Sequence, residues 1–182
     1  MITSELAKQL IDYDSDSGSI VWRHRPDDMF KSASNSTTWN KRFAGNEAGS
    51  INKTLGYRLV SICGKKVWAH RLAWLVYFGS WPNGQIDHIN HDKNDNRISN
   101  LRIVSHVENG RNANKKKNNK TGVTGVSWYK RKNKFAAEIM SDSGRVFLGY
   151  FADLNEARKS RKDAEIKLGY HENHGIEHEG RK

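Results

Sequence analysis

Gln85-Ile86-Asp87-His88-Ile89-Asn90-His91-Asp92-Lys93-Asn94-Asp95-Asn96-Arg97-Ile98-Ser99-Asn100-Leu101-Arg102 is the stretch that decides the fold, and Glu108-Asn109 completes it. Ile86 and Ile89 flank an Asp-His pair, which suits a short strand, whereas residues 90–100 are too rich in Asn and Asp for anything but a loop. A second short strand is predicted over 101–104. Ser105-His106-Val107-Glu108 has the Ser-x-x-Glu form of a capping box, so a helix begins there and carries Asn109 on its first turn. The unit reads strand, loop, strand, helix.

These residue types suit one hard cation and one base. Magnesium prefers oxygen ligands and keeps several waters, so one carboxylate, one amide oxygen and a substrate phosphate suffice; Asp87 and Asn109 supply the protein oxygens. His88, with an ordinary pKa of about 6.5, is suited to take a proton from an attacking water near neutral pH. Neighbouring strand residues point to opposite faces, so Asp87 and His88 serve metal and water together only where the strand is twisted or distorted.

The stretch resembles the HNH family of nucleases, in particular phage and intron-encoded homing endonucleases, whose motif runs Asp-His, loop, Asn-Leu-Arg, then Glu-Asn before a basic stretch. The resemblance covers 68–114, opening with Ala69-His70-Arg71-Leu72-Ala73-Trp74, and several separate elements agree in order and spacing. It implies that His88 is the general base, that Asp87 and Asn109 bind the divalent metal, and that Asn100 braces the loop so that the base points correctly. The implied fold is the ββα-metal finger. The third motif position is Asn rather than His, a variant that homing enzymes also use. His91 and Asp92 read as loop residues rather than ligands.

The chain has 182 residues with 36% hydrophobic content, room for one medium domain or two small ones, and the motif layout favours several small units. A net charge of +11 and a pI near 9.8 point to a polyanionic partner, nucleic acid first. No apolar run approaches about 18 residues and residues 1–10 show no signal-peptide pattern, so a soluble cytoplasmic protein without a membrane partner is expected. For a phage-encoded protein this is the host cytoplasm. Cys63 is the only cysteine, which excludes an intramolecular disulfide and Cys-x-x-Cys zinc knuckles; no structural zinc is expected.

Upstream of the motif, residues 1–80 read as a supporting α+β region. A helix is predicted over 4–13, a turn over 14–18 and a strand over 20–22, while 26–56 is polar and unassignable. Strands over 57–62 and 67–68 flank a Gly64-Lys65 turn, and a helix over 69–78 buries Leu72, Leu75 and Val76. Trp22, Trp68 and Trp74 are expected in the core; Arg71 is placed either to reach a phosphate or to serve packing. The finger itself spans 81–114.

Residues 111–120 include Arg111, Lys115, Lys116, Lys117 and Lys120, with no acid and no aliphatic residue larger than Ala. Such a segment builds no core and reads as a flexible basic linker that tracks the phosphate backbone. Beyond it, 121–169 shows strands over 126–130, 135–140 and 146–151 and a helix capped by Asp153 that stops before Gly169: a three-stranded antiparallel sheet packed on one helix. Alternation puts Val126, Trp128, Phe135, Ala137, Ile139, Val146 and Leu148 toward the helix. It puts Ser127, Tyr129, Arg131, Glu138, Met140, Arg145 and Phe147 on an open face dimensioned for a DNA major groove.

This segment is similar to the Apetala-two/ethylene-response-factor DNA-binding domain through Gly125-Val126, Phe135-Ala136-Ala137-Glu138-Ile139, Arg145 to Phe151 and Glu156-Ala157. The resemblance puts Glu138, Arg145 and Phe147 at DNA-contact positions. Ser127, Tyr129 and Met140 stand where plant members carry Arg, so no plant target follows. Residues 170–182, with His171, His174 and His178 among acids, read as a frayed polar tail without chemistry.

The expected class is thus α+β, and the expected function a homing-type endonuclease that uses Mg2+ or Mn2+ on double-stranded DNA. It acts as monomer or dimer, by nicking or double-strand cutting. The rival is a non-catalytic DNA-binding or regulatory protein with a remnant finger.

Overall fold

The computed structural model describes residues 1–111, 115 and 118–175. The chain divides into two compact units, Met1–Ile103 and Val104–Lys182. The class is α+β.

In the first unit, helix α1 (Ser4–Leu10) starts at Thr3, whose hydroxyl accepts the Leu6 amide at 3.2 Å. The sequence predicts this helix as far as residue 13, but it stops at Leu10. Ile11–Tyr13 is extended as β1 and pairs antiparallel with β2 (Ile20–Trp22), Ile11 opposite Trp22. A β-branched and an aromatic residue fit a pleated pair, and the tertiary partner overrides the helical pattern. The joining turn is an Asp turn: Asp14 Oδ1 accepts the amides of Asp16 at 2.9 Å and Ser17 at 3.3 Å.

The unassigned segment holds helix α2 (Ala33–Phe43), capped by the Ser32 hydroxyl on the Asn35 amide. Its large apolar residues, Trp39 and Phe43, lie one turn apart and pack against the core, with the Arg25 guanidinium 3.9 Å from the Trp39 ring centre. Strands β3 (Ser50–Ile51), β4 (Arg58–Ile62) and β5 (Lys65–Trp68) form a sheet in that order, Leu59 opposite Trp68 and Ile62 opposite Lys65.

Helix α3 (Ala69–Phe78) follows as its apolar spacing predicts and ends at Gly79, whose φ of 80° closes it. Leu72 and Leu75 are buried at 0% and 1% exposure with Ile11, Ile20, Val60 and Ile62. Each such side chain contributes about 1.5–3 kcal/mol. α3 therefore organises the unit, touching α1, β1, β4 and β5. Trp22 is buried in this core, Trp74 packs on it half-buried, and Trp68 is half-buried with its ring 5.7 Å from Tyr57. Strand β6 (Gln85–His88) and strand β7 (Leu101–Val104) pair with each other, and the intervening loop ends in a 3-10 turn at Ile98–Asn100.

The second unit opens with helix α4 (His106–Arg111), followed by strands β8 (Val126–Tyr129), β9 (Lys134–Ser141) and β10 (Gly144–Phe151), an antiparallel sheet ordered β10-β9-β8. Helix α5 (Leu154–Lys167), capped by the Asp153 carboxylate on the Asn155 and Glu156 amides, lies chiefly over β9. Val126, Ala137 and Ala157 form the buried core. Trp128 and Val146 share the helix-side face yet are 44% and 39% exposed, because α5 covers the middle strand better than the two outer ones.

Two sequence expectations change here. Arg131 lies not on the open face but in a 3-10 turn, Lys130–Lys132, between β8 and β9, because β8 ends at Tyr129 and the turn closes at Asn133, whose φ of 52° is left-handed. The tail reading fails at His174, which is buried: Arg161 Nη2 donates to its Nε2 at 3.2 Å, and the Glu165 carboxylate lies 3.9 Å away. Arg161 and Glu165 sit on the buried face of α5, and buried charges demand polar partners. Residues 176–182, including His178, lie outside the described residues.

Candidate active site

Three devices aim the β6 residues. At the strand's entrance, the Arg71 guanidinium donates to the carbonyls of Gly84 at 3.2 Å and Pro82 at 3.3 Å, tying α3 to the segment that leads into β6. Across the sheet, Arg102 of β7 donates to Asp87 Oδ2 through both Nε, at 3.0 Å, and Nη2, at 2.8 Å. Beyond the strand, Asn100 closes the loop: its Oδ1 accepts the Asn90 amide at 2.9 Å and its Nδ2 donates to the Asp95 carbonyl at 2.8 Å.

The loop between is built from its own polar side chains. Asn90 Nδ2 donates to Asp95 at 2.7 Å, the Asp92 amide to Asn90 Oδ1 and the Asn94 amide to Asp92 Oδ1. The Arg97 guanidinium grips Asp95 and holds its carboxyl below the usual range. An Asn- and Asp-rich sequence makes such turns because each short side chain imitates a backbone acceptor.

His88 is the last residue of β6, where the chain turns, so strict strand alternation no longer governs its direction. Asp87 and His88 are 8% and 4% exposed. The His88 ring meets Tyr57 at 5.8 Å and His70 edge-on at 5.2 Å, and its Nε2 lies 3.4 Å from Asn96 Oδ1. Burial pushes the His88 pKa below its ordinary value, while the Asn96 contact and Asp87 oppose that shift. Burial, with His88 and Arg71 nearby, pushes His70 down to about 3, so His70 is neutral at physiological pH. Lys93 reaches back from the loop, its Nζ 4.7 Å from the Tyr57 ring centre and 2.9 Å from the Leu55 carbonyl.

Asn109 belongs to the second unit, on α4, whose capping box forms: the Glu108 amide donates to Ser105 Oγ at 3.2 Å and the Ser105 amide to Glu108 Oε2 at 2.7 Å. Arg111 is held within that unit by Asp142 at 2.7 Å. Lys115 is half-buried, and Lys116 and Lys117 lie outside the described residues.

On the sheet's open face, register pairs Glu138 with Phe147 and Met140 with Arg145, and Arg145 lies 3.4 Å from the Glu138 carboxylate. Phe147 is 53% exposed. Leu148 is the extra residue of a bulge, since Phe147 pairs with Glu138 and Gly149 with Ala137. The bulge brings Tyr150 onto the open face, its ring 5.3 Å from Tyr129 and 4.8 Å from Phe147, with Lys132 Nζ 4.1 Å above it.

Sequence reading missed Tyr57, His70, Asn96 and Arg102 as site residues, and Tyr150 on the face. Only Arg102 carried a local signal, as the residue two places after Asn100 on the strand that pairs with β6.

Among the described residues no group of three or more His, Cys, Asp or Glu side chains could enclose a metal ion. One carboxylate, Asp87, stands beside His88, a donor set that suits a divalent cation which keeps most of its waters.

Comparison with known proteins agrees on the segment. Residues 67–111 match the family model described as HNH endonuclease. No curated protein sequence matches the chain. One solved structure, described as "DNA binding and cleavage by the HNH homing endonuclease I-HmuI", aligns with 94% of this chain and 88% of its own at 20% identity. The TM-score of that alignment is 0.37.

Proposed function

We propose that this chain is a metal-dependent DNA endonuclease of the HNH homing type, with His88 as general base. The observation that carries the reading is a buried His88 beside Asp87, its pKa lowered by burial, inside the segment that the family model matches. A neutral imidazole accepts a proton; a charged one does not.

In the mechanism His88 takes the proton of the attacking water. Asn100 keeps the loop closed so that the ring direction is fixed, and Arg102 holds the Asp87 carboxylate in one orientation. Asp87 and, by the motif, Asn109 are the oxygen donors toward Mg2+ or Mn2+. The ion, when bound, stabilises the charge that develops on the leaving oxygen. Water attack and departure lie in line across the phosphorus.

The second unit supplies grip and site preference in this reading. Glu138, Arg145, Phe147 and Tyr129 occupy one face of a twisted sheet of the size that β-sheet readers place in a groove, and the sequence of that unit resembles the ethylene-response-factor type. Lys115, Lys116, Lys117 and Arg111 belong to a segment whose charge favours phosphates. The setting we infer is the cytoplasm of a host cell, with a phage or mobile element as the source. A lone finger nicks one strand; a dimer on DNA cuts both.

Incubation of supercoiled plasmid and phage DNA with the full chain in magnesium, manganese or EDTA tests the proposal. Relaxed or linear product that appears only with metal is expected. A chain that shifts DNA in EDTA yet cuts nothing with either metal, across genomic substrates, is a binding protein with a remnant finger.

A further inference from the structure

Asn96 is 3% exposed and is fastened from the N-terminal turn. The Tyr13 hydroxyl donates to the Asn96 carbonyl at 2.8 Å, and the Ile98 amide donates to the Ser15 carbonyl at 3.1 Å. Gly18 presses against the same backbone: a Cβ there would stand 2.5 Å from the Arg97 nitrogen and 2.7 Å from the Asn96 carbonyl carbon. Its φ of 75° is one that side-chain-bearing residues rarely adopt. Three contacts thus converge from 13–18 on residues 96–98.

The side chain of Asn96 turns the other way, toward His88. Its amide orientation is fixed by chemistry, because Nδ2 lies 3.2 Å from the Asn94 carbonyl, which can only accept. The oxygen therefore faces His88 Nε2, at 3.4 Å. An amide oxygen cannot donate, so the ring nitrogen opposite it carries the hydrogen.

We propose that Asn96, clamped by the turn 13–18, is a positioning residue for the base: it holds the His88 imidazole as the Nε2–H tautomer and makes Nδ1 the proton-accepting nitrogen. The N-terminal region then has a task in the reaction beyond supporting the fold. The catalytic part of this claim rests on the reading of His88 as base; the tautomer part does not.

The test uses the full chain labelled with nitrogen-15 at histidine, with two-bond proton–nitrogen correlation spectra above the pH at which His88 is charged. His88→Gln assigns the signal. Wild type and Asn96→Asp, which keeps an acceptor, are expected to show Nε2–H. Asn96→Leu, similar in size without an acceptor, is expected to show a mixture with Nδ1–H; Asn96→Ala serves where Leu is not accommodated. Turnover at saturating DNA is expected to fall on the order of 10–100-fold in Asn96→Leu, with DNA affinity retained, as for other groups that orient a reacting side chain. Tyr13→Phe, which loosens the clamp alone, loses less in the same direction. An Nδ1–H signal in wild type overturns the proposal, as does an unchanged tautomer with unchanged turnover once the acceptor is gone. If wild type cuts no DNA, the base assignment fails and the spectra still decide the tautomer.

Discussion

Burial changes the chemistry of His70 strongly. Its folded pKa of about 3 stands against an ordinary value near 6.5, so the unfolded chain takes up a proton that the folded chain refuses. Stability at His70 is therefore complete above about pH 6.5 and drains away as pH falls toward 3, by a few kcal/mol in all. Urea midpoints measured across that range are expected to fall steeply for wild type and less steeply for His70→Phe, and parallel curves contradict the assignment. The sequence offered Asp87, His88, Asn100 and Asn109 as candidates because motif residues sit at fixed spacings. It could not disclose Tyr57, His70 or Asn96, which meet His88 only through the packing of β4's approach, α3 and the loop. Their neighbours in space are not their neighbours in sequence.

At the scale of elements, regular periods were readable and interruptions were not. The α3 face and the β8, β9 and β10 alternation follow from apolar spacing, and the Ser105 and Asp153 caps from side-chain chemistry. Helix α2 escaped notice because Asn, Ser and Thr fill it and only Trp39 and Phe43 mark its buried side. The Leu148 bulge escaped because one extra residue shifts the phase after it, which is how Tyr150 reaches the open face. One glycine fixes how the chain enters β3 against β4. Gly49 has φ 83°, and a Cβ on it would lie 2.3 Å from the Leu59 carbonyl oxygen, a backbone atom that cannot yield. Gly49→Ala is expected to lower unfolding free energy by about 2–4 kcal/mol. Gly64→Ala, where φ is 69° and nothing lies within 4 Å, costs about 1 kcal/mol by backbone conformation alone. Equal losses in urea denaturation of the two variants would mean that the close approach at Gly49 relaxes.

Over the whole molecule, composition pointed to a polyanionic partner and the motif order to more than one unit. Each of the two units has its own buried cluster, the first around α3 and the second between α5 and its sheet. What composition could not reveal is the polar interior of the second unit, where Arg161, Glu165 and His174 are buried together and draw part of the supposed tail into the fold. Charged residues read as surface until a partner is found for them. The proposed chemistry turns on one residue of the first unit, His88. Plasmid cleavage in magnesium by wild type and His88→Ala, with DNA affinity measured in parallel in EDTA, tests it most directly. His88→Ala is expected to lose cleavage by at least about 100-fold, the scale of general-base catalysis, while binding DNA as wild type does. Cleavage by His88→Ala at the wild-type rate would contradict it.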